Sequence, residues 1–181
     1  MAAQSDGKII ITGYENTDLH KSWKLERYNT DGNIDNTFGE NGKVIIDFGY
    51  DTSIKGVIIL KDDSFIAVGE SNSARAGLLI AKFDINGSLD ESYGNQGIVS
   101  TQLFDTEQIQ PRDLQLDNSG RLVITGYQLY DGYNRSYMFI SRYTPDGLID
   151  NSFGNDGKIL VNYPNAQYNS GANIDITKDN K

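Results

Sequence analysis

Arg27-Tyr28-Asn29-Thr30-Asp31-Gly32-Asn33-Ile34-Asp35-Asn36-Thr37-Phe38-Gly39-Glu40-Asn41-Gly42-Lys43-Val44 is written three times in this chain. It returns from Lys82-Phe83 through Asp90-Glu91-Ser92-Tyr93-Gly94 to Gly97-Ile98, and again from Arg142-Tyr143 through Asp150-Asn151-Ser152-Phe153-Gly154 to Gly157-Lys158. Asp35, Asp90 and Asp150 mark the copies, which lie 55 and 60 residues apart (90 − 35 and 150 − 90). Self-similarity at such a spacing is the signature of a repeat architecture.

The stretch reads as a compound turn. Asp31-Gly32, Asn86-Gly87 and Asp146-Gly147 are strong turn dipeptides. The apolar residue two places on (Ile34, Leu89, Ile149) and the aromatic of the Phe/Tyr-Gly pair (Phe38, Tyr93, Phe153) plug the end of a core. Asp35, Asp90 and Asp150 are placed to accept N–H bonds from the segment behind them, as Asx turns do. The endings Gly39-x-x-Gly42, Gly94-x-x-Gly97 and Gly154-x-x-Gly157 supply positive φ.

Working outward, each copy of the turn follows two strands and precedes two more. The first set is 8–14, 64–69 and 121–127, whose continuous apolar runs suit strands covered on both faces. Each run closes on Gly13, Gly69 or Gly126, read as a bulge or close backbone approach where the strand ends. The set before the turn is 23–28, 78–83 and 137–143. After the turn come 43–48, 97–103 and 158–162, then 54–60, 109–116 and 173–177. Four strands in series, repeated, describe propeller blades. The expected fold is all-β: one domain of three four-stranded blades, with repeats at about 4–60, 61–116 and 117–181. With 54–60 counted as the first strand of the next blade, the chain starts at a second strand and ends on a first. The ends are thus permuted for strand closure, and Met1 to Gln4 read as the remnant of a cut strand. Three blades fall below the usual range of about four to eight, and exposed strand edges invite pairing. A homodimer closing a six-bladed ring is the favoured form, and a piece of a larger propeller is the alternative.

Composition agrees and excludes several functions. The 181 residues include 19 Gly and only 3 Pro, with 11 Tyr recurring in short runs, which favours short strands and turns over helices. A net charge of −9 argues against phosphate-backbone binding, so nucleic acid is not an expected partner. No apolar run approaches the roughly 18 residues of a membrane span, and the N-terminus lacks the basic and apolar regions of a signal peptide. If the parent protein is exported, this is a mature piece of it. Cysteine is absent and histidine occurs once, at His20, which removes thiol chemistry, histidine dyads and multi-histidine metal sites.

Asp-Gly-Lys-Ile-x-x-x-Gly at 6–13, Arg-Tyr-x-x-Asp-Gly-x-x-Asp-x-x-Phe-Gly at 27–39 and Gly-Lys-Val at 42–44 resemble the bacterial delta-60 repeat family. The resemblance covers essentially the whole chain. The second copy departs from the pattern: Lys82-Phe83 replaces Arg-Tyr, Tyr93 replaces Phe, and Ile98 stands where Lys is usual. The resemblance implies a propeller-like fold within a large, secreted or cell-surface bacterial protein. It implies no activity, and no catalytic residues carry over.

Calcium is the one cofactor the spacing raises. Asn29, Asp31, Asn33 and Asp35 alternate like an acidic calcium loop, but neither other copy completes the pattern with a glutamate. Turn capping is the stronger reading, so no metal and no cofactor are expected. Strand order sends the near-identical connections to one face of the blades and the variable ones to the other. The variable connections are 14–21, 70–76 and 127–136, with 47–53, 104–108 and 162–172. Variation at the tips of a fixed scaffold is where recognition resides. Tyr130, Asp131, Tyr133, Asn134 and Arg135 form the richest patch, with Tyr163, Asn165 and Tyr168 as neighbours. Flat aromatic faces beside amides and carboxylates suit a glycan or protein ligand. His20 reads as incidental and Trp23 as core. Glu15, Asp47, Glu70, Asp105 and Glu107 are carboxylates on the same face, but nothing in their spacing singles out a catalytic pair. The expected function is a non-catalytic interaction module. A purely structural repeat scaffold, or a propeller-type glycosidase or lyase, are the alternatives.

Overall fold

Short β-branched and aromatic runs broken by glycine turns fold here into strands alone. The computed structural model describes residues 1–71, 77–104, 108–130, 135–162 and 168–179, and among these there is no helix. The first sheet holds β1 (Ala2–Ala3), β2 (Ile9–Asn16), β3 (Lys21–Tyr28) and β4 (Lys43–Ile46). The second holds β5 (Thr52–Ile59), β6 (Phe65–Ser71), β7 (Leu78–Phe83) and β8 (Ile98–Thr101). The third holds β9 (Gln108–Leu116), β10 (Leu122–Tyr130), β11 (Arg135–Tyr143) and β12 (Lys158–Val161). Each is a four-stranded antiparallel meander in chain order, which is the architecture of three propeller blades.

Two cores lie between the blades. Trp23, Leu25 and Phe38 of the first blade meet Phe65, Ala67, Leu79 and Phe83 of the second, with Phe65 and Phe83 stacked at 4.8 Å. Ile66, Val68, Ile80 and Tyr93 of the second blade meet Leu122, Ile124, Phe139 and Tyr143 of the third. Alternate residues of β6 therefore enter opposite cores, which is why its apolar run is continuous. The same expectation fails for β2. Ile10 is fully buried, yet Ile9 and Ile11 are 38% and 42% exposed, because no blade covers their face.

The structure corrects three details of the sequence reading. Residues 173–177 form no strand; the segment carrying them lies along the third sheet, with Gly171 N–H donating to Gly126 O and Ile174 N–H to Asp113 Oδ2. The equivalent segments β5 and β9 are strands because the following β6 and β10 pair with them, and among the described residues no strand pairs in this way with 173–177. The first blade does not open at a second strand, since Ala2 and Ala3 pair with Ile10 and Ile9 in the first-strand position. Finally, β2, β6 and β10 run past Gly13, Gly69 and Gly126 rather than ending there. The close approach is real at two of them: a Cβ on Gly69 would lie 2.2 Å from Ser53 O, and one on Gly126 2.1 Å from Gln110 O. The ladder slips register at both places, beside Ile54/Gly56 and Thr125/Gly126.

Candidate functional site

The repeated turn is a clamp built from residues far enough apart to meet only when the strand pair forms. Arg27 Nε donates to Asp35 Oδ2 at 2.8 Å, Lys82 Nζ to Asp90 Oδ2 at 2.7 Å, and Arg142 Nε to Asp150 Oδ2 at 2.7 Å. The second carboxylate oxygen takes the N–H and the hydroxyl of the residue two places on, Thr37, Ser92 or Ser152. The cation then covers the aromatic plug, 4.8 Å from the Phe38 ring, 5.9 Å from Tyr93 and 4.6 Å from Phe153. Donation from Thr37, with Lys8 and Arg27 alongside, holds Asp35 well below the usual carboxylate range. Lys82 and Ser92 bring Asp90 down to about 2, and Ser152 with Arg142 lowers Asp150. The role of the basic residue was missed in the sequence; its signal was the recurring Arg or Lys eight residues before each Asp.

Asp31 is used the same way, accepting from Asn33 N–H at 2.9 Å and from the Asn33 amide. Two of the four alternating side chains, Asp31 and Asp35, are thus engaged by the turn itself, and no metal-holding group of three acidic, cysteine or histidine residues occurs among the described residues. Chelator is expected to leave thermal unfolding unchanged; a fall in melting temperature would show that a cation supports the turn.

The near-identical connections gather on one face, where Gln4 and Ser5 reach Asp63 and Lys8 reaches Asp35. The variable ones gather on the other. Lys21 N–H donates to Asp51 Oδ1 at 2.8 Å, Thr52 Oγ1 to Lys21 O at 3.1 Å, and His20 pairs with Asp47. Asp47 is lowered first by the Gly49 N–H and then by His20. Across the third blade, Ser136 Oγ donates to Asn169 O, and Ser136 bridges Tyr168 in parallel.

Of the residues singled out for ligand contact, Arg135 is exposed at the start of β11, and Tyr168, 66% exposed, is brought beside the neighbouring Ser136. Tyr130 ends β10 opposite Arg135, with its side chain outside what is described. Asp131, Tyr133, Asn134, Tyr163 and Asn165, with Asp105 and Glu107, lie outside the described residues.

A concavity of about 310 Å³ opens on this face between the first two blades. Tyr14 and Lys21 wall one side, with the Lys21 ammonium 4.8 Å above the Tyr14 ring; Asp51, Thr52, Lys55 and Glu70 wall the other. Glu70 Oε1 accepts from Lys55 Nζ at 2.8 Å and from Ser53 Oγ at 3.1 Å, while Glu70 Oε2 is buried with no donor among the described residues. The cleft thus offers one half-exposed aromatic face, two ammonium groups, hydroxyls and carboxylates. The sequence groups these loops on one face but does not pair them, because Tyr14 and Glu70 belong to different blades. A wider depression of about 780 Å³ between the second and third blades lies on the other face, where Asp62, Asp117 and Lys82 are already bound to Ser64, Arg121 and Asp90.

Residues 4–38 and 118–153 match the family model of a β-propeller domain of unknown function, DUF5122. The matched stretches are equivalent parts of the first and third blades, running from the turn before the second strand to the aromatic plug. A search of curated proteins finds no match to the chain. Blade architecture and these matches together make the chain a propeller-type repeat protein.

Proposed function

We propose that this chain is a non-catalytic interaction module, of the delta-60 repeat kind, that holds a glycan or a protein at its variable-loop face as part of a secreted or cell-surface bacterial protein. The observation that carries the reading is the cleft between the first two blades, where Tyr14 offers a ring face 50% exposed beside Lys21, Lys55 and Glu70. An aromatic ring supplies contact area for the apolar face of a sugar or a peptide, and fixed polar groups orient hydroxyls and amides. Glu70 is ion-paired to Lys55, which suits an acceptor of hydrogen bonds better than a proton-transferring acid. Nucleic acid and membrane insertion have no part in the proposal, and it invokes no cofactor.

The test is a glycan-array screen of the chain, run in calcium and in chelator, repeated with Tyr14→Ala. Stacking of this kind contributes about 1.5 kcal/mol, so the variant is expected to bind about tenfold more weakly at unchanged melting temperature. Binding that ignores Tyr14 would place the ligand elsewhere on the face, with Arg135 and Tyr168 the next substitutions. A blank array in both buffers would favour a structural repeat scaffold.

A further inference from the structure

Three equivalent positions follow the glycines of the second strands: Tyr14 after Gly13, Glu70 after Gly69 and Tyr127 after Gly126. All three lie where their blades enter the variable connections, and each has a cation set against it. The Lys21 ammonium stands 4.8 Å above the Tyr14 ring, and Lys55 Nζ donates to Glu70 Oε1 at 2.8 Å. The Arg112 guanidinium lies 5.0 Å from the Tyr127 ring, and its Nη2 donates to Tyr127 Oη at 2.9 Å.

Two of these cations are placed by the same irregularity. In the second blade Ile54 pairs with Gly69 and Gly56 with Val68; in the third, Pro111 pairs with Gly126 and Asp113 with Thr125. The residues left over are Lys55 and Arg112, and both are exposed. A bulge re-aims the side chain it carries. Here it turns a cation toward the residue that follows the glycine in the neighbouring strand.

The charges at the three positions are not equally balanced. In this chain of net charge −9, Lys8, Arg27, Lys82, Arg121 and Arg142 are all committed to carboxylates, as Lys55 is to Glu70. Lys21 and Arg112 stand against tyrosines instead, with no carboxylate in ion-pair distance among the described residues. The acidic groups beside them serve the backbone: Asp51 accepts the Lys21 N–H, and Asp113 accepts the N–H groups of Leu114 and Ile174. A tyrosine ring beside an uncompensated cation matches a sugar that carries an anionic group, since the ring takes the C–H face and the cation takes the charge.

We propose that the variable face binds an acidic polysaccharide, with Tyr14 and Lys21 as one subsite and Tyr127 and Arg112 as its equivalent on the other side of the second blade. This rests on the reading of that face as a recognition surface, and it names the class of ligand. The ring-and-cation unit recurs in two blades, and a polymer that repeats a flat ring and a charge matches that recurrence. Between the two, the Lys55–Glu70 pair adds no net charge and offers hydrogen bonds to hydroxyls. A sugar carboxylate and a sugar sulfate would meet the same two cations.

The test compares binding of the full chain to an oligogalacturonate and to a sulfated oligosaccharide with binding to their methyl-esterified and desulfated forms. A charged form is expected to bind, its neutral form at least about tenfold more weakly, with affinity falling as salt is raised. Which charged form binds identifies the anionic group. Lys21→Gln and Arg112→Gln are each expected to weaken that binding about tenfold at unchanged melting temperature, because both side chains are exposed. Lys61→Gln removes the same charge from an exposed residue of the opposite face and is expected to leave binding as it was. Equal binding of charged and neutral forms, binding that survives both substitutions, or an equal loss in Lys61→Gln overturns the inference. So does an acidic peptide held more tightly than either oligosaccharide through the same two cations. Neutral glycans bound through Tyr14 would overturn it while the interaction-module reading stands; binding to no glycan of either kind overturns the inference and the glycan reading together.

Discussion

Gly39→Val is expected to cost about 3 kcal/mol or more, enough to lower the urea midpoint sharply or prevent folding in a domain of ordinary stability. Gly39 lies at φ +52, where a β-branched residue is strained, and its Cβ would come within 2.1 Å of Lys43 O and 2.6 Å of Val44 Cγ2. Backbone cannot give way cheaply there, because Glu40 N–H donates to Lys43 O and Gly39 N–H ties the first blade to Asn86 of the second. Gly49 supplies the control. It has φ +79 with nothing within 4 Å of its Cβ position, so Gly49→Ala carries only the conformational penalty of about 1 kcal/mol. Equal midpoints for Gly39→Val and the unsubstituted chain would refute the packed-turn account.

Asp35→Asn is the second large effect. Asp35 is 5% exposed and Arg27 3%, and the same carboxylate holds Lys8 at 3.1 Å. Removing its charge leaves a buried guanidinium without a counter-charge, at a cost of about 3 kcal/mol. At the second clamp both Lys82 and Asp90 have a quarter or so of their side chains in water, so Asp90→Asn is expected to cost only about 1 kcal/mol. Equilibrium denaturation of the two variants checks the order; equal losses would contradict it.

The same carboxylates set the acid limit. Their folded pKa values lie below the unfolded value of about 4, so the unfolded chain binds more protons between the two. The stability they contribute is complete above about pH 4 and is lost as pH falls, with Asp90 half protonated near pH 2 in the folded chain. Acid unfolding of the native chain should therefore steepen below pH 4, and the Asp35→Asn variant should show a shallower dependence over that window.

Much of this was legible because repetition multiplies weak signals. One Asp-Gly dipeptide marks a turn, but three copies of the compound turn, each between short apolar runs, define a blade and its period. The Asx caps at Asp35, Asp90 and Asp150 could be named because they act within a few residues. The partnership of each with Arg27, Lys82 and Arg142 was less visible, since it depends on strand pairing. The 173–177 segment shows the limit in the other direction: it takes the place that 54–60 holds in the first copy, yet among the described residues no strand pairs with it as β6 pairs with β5.

What the sequence determined by itself is everything local: the turn chemistry, the positive-φ glycines, the period and the all-β class, because these depend on φ preference and on hydrogen bonds spanning a few residues. Tertiary structure alone decided which residues stand together across blades. It set Tyr14 against Glu70 in one cleft, and it left Gly32 free while Gly87, in the same motif, is buried against Phe38. The same local motif meets different surroundings in different blades, and burial, unlike φ, is a property of the neighbours.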